Sequence, residues 1–197
     1  MNALEMAAVV FAVLYLLLVI RENIWCWPAA LVGTLLSLVV FADAKLYMES
    51  ALQIFYAGMA IYGWQQWVRG GERNAGVAIC VWPWHRHAIA IAAILAATMV
   101  LGYVLDTRTD AAFPYADSFT TIAALVTTYM VAKKVLENWV YWFVIDAISI
   151  YLYVARELFL FAGLFVGYLV LIVIGFRAWS RQWRIDRVDA AAGSGAY

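Results

Sequence analysis

The stretches ENIWCWPAALVG, residues 22–33, and ENWVYWFVIDAI, residues 137–148, share the pattern Glu-Asn-x3-Trp. At an offset of 115, Glu22 meets Glu137, Asn23 meets Asn138 and Trp27 meets Trp142; a second Trp follows 37 residues later in each copy, Trp64 and Trp179. One matched Glu would mean nothing. A shared motif at the head of an apolar run, with a distant Trp in register, marks an internal duplication.

What is duplicated follows from composition. Of 197 residues, 67% are hydrophobic and 13% charged, with a mean hydropathy of +0.84; a soluble domain is about half apolar and a quarter charged. The chain is therefore read in lipid. Stretches long enough to span run over 2–20, 24–42, 47–67, 87–105, 117–134, 139–155 and 158–178. Each needs roughly 20 residues, so seven spans consume nearly the whole chain and leave no room for a soluble domain. The first span carries Glu5 and lacks a basic leader and a small-residue cleavage site. It is expected to stay in the protein as a helix.

The duplication lays spans one to three over spans five to seven. A shift of four spans returns the chain to the same membrane face, so the units are expected to be parallel. An extra crossing is then required, and the fourth span is the linker. The expected fold is an all-α membrane protein of seven transmembrane helices, as two parallel three-helix repeats plus a linker helix. The expected segments are 1–67 for the first repeat, 68–116 for a loop, the linker and an external loop, 117–180 for the second repeat, and 181–197 for a disordered cytoplasmic tail. Parallel repeats of this kind are an architecture of transporters, with substrate near the midplane.

Cytoplasmic loops retain positive charge. Lys45, Arg108 and Arg156 are the basic residues of one side, against ten on the other. The amino terminus is expected outside and the carboxyl terminus in the cytoplasm. Formal net charge is zero, and nothing in the balance suggests a nucleic-acid partner. Cys26 and Cys80 form no paired motif and are read as packing residues.

Polar side chains inside a bilayer are costly and tend to face a cavity or a partner. In the sixth span Asn138, Trp142, Asp146, Ser149 and Tyr153 fall on one helical face, opposite Val140, Phe143, Val144 and Ala147. Asp146 lies eight residues past Asn138, about 12 Å into a core of roughly 30 Å. It is held by hydrogen bonds, protonated, or facing a positively charged solute. Gln53 and Tyr56, one turn apart in the third span, pair an amide with a phenol, as a ribose or amide ligand would require; the structural alternative is an interhelical hydrogen bond. In the fifth span Thr121 and Thr128 share a face with Asp117, although threonines often only bond back to their own helix. Trp142, one turn inside the stripe, could stack on a planar heterocycle or a cation, and Trp139 is a lesser candidate. Most other Trp residues, including Trp64, Trp67, Trp179 and Trp183, are read as interfacial belts. His85 and His87 lack the carboxylate or cysteine that would complete a metal set.

The stretches LQIFYAGMAIYGWQQW, 52–67, and KKVLENWVYWFVIDAISIYLY, 133–153, resemble the PnuC family of vitamin transporters. The specific parts are the Leu-Gln-x2-Tyr…Tyr-Gly-Trp block and the Glu-Asn-Trp-x2-Trp block. The family is related in fold to SWEET sugar carriers. The resemblance implies facilitated diffusion of nicotinamide riboside across the inner membrane, with trapping by a cytoplasmic kinase, no cofactor, and Gln53, Tyr56, Asn138 and Trp142 as binding residues. Some relatives carry Asn where Asp146 stands. Thiamine, like nicotinamide riboside, is a cation with an aromatic ring, and both suit a carboxylate beside a tryptophan. A homo-oligomer is compatible with the sequence.

Other classes fare worse. A retinal photoreceptor needs a lysine that the seventh span lacks, and no GxSxG, HExxH or potassium-filter motif is present. A membrane scaffold would have no need of Gln53, Asn138 and Asp146 inside its spans.

Overall fold

The computed structural model describes residues 3–43, 47–71, 76–109 and 112–194. Lys45 and Arg73, two of the residues counted for orientation, lie outside them. Seven helices occur among the described residues: α1 (Ala3–Ile20), α2 (Cys26–Asp43), α3 (Tyr47–Arg69), α4 (Trp84–Arg108), α5 (Pro114–Ala132), α6 (Asn138–Ala155) and α7 (Phe159–Ser194). Five of them are long and apolar enough to cross a membrane by composition alone; α3 and α5 are not among these. The shortfall has a chemical cause. α3 carries Gln53, Gln65 and Gln66, and α5 carries Asp117, Ser118 and four threonines.

The chain divides into two compact units, Met1–Ala78 and Ile79–Tyr197. In the first, α2 packs against both α1 and α3; in the second, α6 packs against both α5 and α7. The linker helix α4 joins the second unit by packing on α5, around Ile94, Ala123, Ala124 and Ile145. Gly102 of α4 faces the Tyr115 ring so closely that a Cβ there would collide with it.

The turns show the duplication at atomic detail and correct its register. α1 ends with the Glu22 amide donating to the Val19 carbonyl and the Asn23 amide to that of Leu18, both at 2.9 Å. α5 ends with Lys134 donating to Val131 at 3.0 Å and Val135 to Met130 at 2.9 Å. This is the bond pair of a Schellman termination. Its left-handed residue is Glu22 (φ 51) in one case and Lys134 (φ 49) in the other. Each equivalence is an offset of 112, not 115: Glu22 answers to Lys134, Cys26 to Asn138, and Trp27 to Trp139. The two asparagines of the shared motif accordingly do different jobs. Asn23 sits in a turn and accepts the Trp25 amide at 2.9 Å, whereas Asn138 sits in α6 and donates to the Val135 carbonyl at 2.6 Å.

The same register holds in the cores. Trp27, 2% exposed, rests its ring on Gly63 and meets Trp67 edge-on at 5.5 Å. Trp139, 1% exposed, rests on Gly175 and meets Trp179 edge-on at 5.4 Å. A Cβ on either glycine would collide with the indole. Each unit thus contains a clasp of two tryptophans closed over a glycine, with α2 held to α3 and α6 to α7. The belt reading of Trp67 and Trp179 is corrected accordingly, since both rings are core.

Towards the carboxyl terminus α7 continues through Ser194, where a disordered tail from 181 was expected. Side-chain pairs one turn apart support the extension: the Gln182 amide donates to Asp186 at 2.8 Å, and the Arg187 guanidinium lies 4.6 Å from the Trp183 ring centre.

Candidate functional site

The inward face of α6 is the one its spacing predicts. Asn138, Asp146 and Ser149 are buried, Trp142 and Tyr153 half-buried, while Val140, Phe143 and Val144 are 51%, 45% and 45% exposed. Burial alone does not make these residues equivalent. Asn138 is wholly buried and spends its amide nitrogen on the Val135 carbonyl, leaving its Oδ1 without a partner. Ser149 donates to the Ile145 carbonyl at 2.9 Å, so its hydroxyl proton is used within the helix.

Asp146 differs. It is 5% exposed, and among the described residues no hydrogen bond or ion pair to its carboxylate is formed. A buried carboxylate with no partner is expensive. The described groups within electrostatic reach include Tyr153 of the same helix and Tyr168 of α7. Tyr153 packs on Phe165 at 5.0 Å, and Phe165 on Tyr168 at 5.4 Å. Tyr168 was missed by sequence reasoning. The register of 112 finds it, because Tyr168 is the equivalent of Tyr56.

Trp142 packs beside the α4–α5–α6 core with Phe119, Ile122, Val126 and Tyr141, and keeps part of its surface open. Trp139 does not, its ring being taken up by Gly175 and Trp179. On α5, Thr121 is half-buried, whereas Thr128 is 8% exposed and donates to the Ala124 carbonyl at 2.8 Å. Asp117, on the threonine face, forms an ion pair at 2.5 Å with Arg156, which closes the start of α5 against the end of α6.

In the first unit Gln53 and Tyr56 are half-buried on α3. Tyr56 lies in electrostatic reach of Tyr15 on α1, and Tyr15 contacts the clasp ring of Trp27 at 6.2 Å. Thr34 stands where Asp146 stands in the second unit, and it donates to the Ala30 carbonyl. The second unit alone therefore puts a carboxylate at this position.

A duplicated bundle of apolar helices whose α6 buries a polar stripe, Asn138, Asp146 and Ser149, has the architecture of a membrane carrier of small molecules. The chain belongs to the nicotinamide mononucleotide transporter family, whose model matches residues 2–181; it is a transporter and not an enzyme. It is 25% identical over 196 residues to the riboflavin/roseoflavin transporter RibM of Streptomyces davaonensis, covering 98% of this chain and 91% of that one. It is 24% identical over 187 residues to the nicotinamide riboside transporter PnuC of Escherichia coli, covering 82% and 77%. The crystal structure of the vitamin B3 transporter PnuC superposes with a TM-score of 0.71 at 22% identity, covering 91% of this chain and 81% of that one. That likeness confirms the fold.

Proposed function

We propose that this chain takes up nicotinamide riboside across the inner membrane by facilitated diffusion, with Trp142 and Asp146 as its principal contacts in the second unit; Gln53 and Tyr56 are the candidate polar contacts of the first. The observation that carries the reading is the buried, unpartnered carboxylate of Asp146 one turn from the partly open Trp142 ring. Nicotinamide riboside is cationic on its aromatic ring and carries ribose hydroxyls. The ring would stack on the indole and the charge would face the carboxylate. Asn138 and Thr121 would support the same stripe, whereas Trp139 and Thr128 act in packing and in helix bonding.

In this reading the amino terminus is outside and the carboxyl terminus in the cytoplasm, where a kinase phosphorylates the vitamin and keeps its free concentration low. Transport then needs no ion gradient. Thiamine remains the alternative cargo on the same observation, because it too is a ringed cation. Riboflavin, the cargo named for one relative, would leave the carboxylate without a charge to meet.

The test is uptake into proteoliposomes of radiolabelled nicotinamide riboside, competed in turn by unlabelled nicotinamide riboside, thiamine and riboflavin. Saturable uptake, competed first by nicotinamide riboside and unaffected by dissipating ion gradients, is expected. Uptake of thiamine but not of nicotinamide riboside would transfer the site to the alternative vitamin. Movement of neither cation would sink the reading.

A further inference from the structure

α7 is longer than a bilayer requires. Its 36 residues extend about 54 Å at 1.5 Å per residue, against a hydrocarbon core of roughly 30 Å. Its apolar run ends at Phe176, and arginines follow at 177, 181, 184 and 187. Arg177, Arg181 and Arg184 fall at i, i+4 and i+7 on one helical face. With Phe176, Ser180 and Ile185 they line a shallow, open groove of about 300 Å³ formed by side chains of α7 alone.

The charges of this groove are unspent. No carboxylate lines it, and among the described residues none of its three guanidinium groups has an ion-pair partner. Asp186, the nearest acidic residue in sequence, accepts from Gln182, and Arg187 is stacked over Trp183. Arg156, by contrast, is paired with Asp117. Three unpaired arginines on one face attract an anion, and a guanidinium fork matches a phosphate better than a point charge does.

We propose that this groove binds the phosphate of an anionic phospholipid headgroup. Depth favours a lipid over a soluble anion. Arg177 follows the last apolar residue and Arg181 lies about 6 Å further along the helix, within a headgroup layer of roughly 5–8 Å, while Arg184, at about 10 Å, stands just beyond its outer edge and reaches back with its long side chain. Val173, Ile174 and Phe176, exposed at 39%, 47% and 39%, precede the groove and offer acyl chains an apolar wall. A free anion would have no use for that wall. The site is independent of the transported cargo.

The full chain in detergent is equilibrated with short-chain phosphatidylglycerol, phosphatidylcholine or inorganic phosphate, and retained ligand is read by native mass spectrometry. Phosphatidylglycerol should be retained and phosphatidylcholine lost. Each arginine near an anionic surface is worth about fivefold in affinity, so R177Q/R181Q/R184Q should weaken retention roughly 100-fold. R69Q/R86Q/R108Q, which removes three charges elsewhere, should leave it unchanged. Equal retention of the two lipids, or equal losses in the two triple variants, overturns the proposal. Displacement by inorganic phosphate at equal concentration would make the groove a plain anion site and end the lipid assignment. Should the groove variant fail to fold, R181Q and a salt titration of the native chain replace it, because retention that ignores salt cannot rest on these exposed charges.

Discussion

Trp142 and Asp146 stand one turn apart on α6, and their substitution separates stacking from charge. Trp142→Ala should cost one stacked ring, about 1–3 kcal/mol by analogy with bases on aromatics, or roughly 5- to 150-fold in Kd. Asp146→Asn keeps the shape and removes the charge. Binding of a cationic vitamin should fall about tenfold or more, as for truncating one partner of a buried charge pair, while a neutral analogue of the same ring should bind as before. Calorimetric titration of both variants checks the two statements, and an Asp146→Asn protein with unchanged affinity for the cation would remove the carboxylate from the site. These residues were legible in sequence because a polar stripe at helical spacing is conspicuous against 67% apolar composition. Tyr168 was not, since a single tyrosine in an apolar span has no periodic company. Nor does sequence show the packing of Trp139, because a tryptophan seated on a glycine 36 residues away leaves no local pattern.

At the scale of elements, the α5–α6 turn is stitched to the segment that leads into α4. The Cys80 amide donates to the Lys134 carbonyl at 3.0 Å, and the Leu136 amide donates to the Cys80 carbonyl at 2.8 Å. The Trp82 amide reaches Glu137 at 3.3 Å, and His87 lies 3.0 Å from the Tyr141 hydroxyl. This stitching explains why α4 travels with the second unit, whereas sequence alone made it a span between two repeats. Hydropathy registers length and polarity; it carries no trace of two backbone hydrogen bonds across more than 50 residues. One chemical consequence concerns Cys80. Desolvation, then the neighbouring Glu137 charge, push its thiol above the ordinary value, with Arg86 and Lys133 opposing. A raised value leaves less thiolate at a given pH, so the reactive form appears only at higher pH. Alkylation by iodoacetamide at pH 8 should therefore lag behind a free cysteine peptide and quicken in Glu137→Gln. Cys26, being buried, should remain unlabelled in the folded protein. Equal rates for Cys80 and the peptide would show that neither desolvation nor Glu137 holds the exposed thiol above its ordinary value.

For the whole molecule, the sequence offset of 115 and the structural offset of 112 differ by three residues, and the helix explains the confusion. Tryptophans recur three apart at 64 and 67 and again at 139 and 142, and residues three apart share a helical face. An alignment slipped by three therefore keeps aromatic on aromatic and inside on inside. It reveals that two units exist but pairs the wrong members. The correct pairing identifies Trp27–Gly63–Trp67 and Trp139–Gly175–Trp179 as one device built twice, and this makes a quantitative statement about stability. Gly63→Ala and Gly175→Ala each drive a methyl group into an indole, an overpacking that costs about 1–3 kcal/mol per site. The two clasps lie in separate compact units, so the double variant should lose the sum of the single losses to within about 0.5 kcal/mol. Equilibrium unfolding in mixed micelles, followed by tryptophan fluorescence, measures all three variants. A double variant no worse than the more destabilised single would mean that the two clasps are energetically coupled. Additivity would mean that the two clasps act independently, each within its own compact unit.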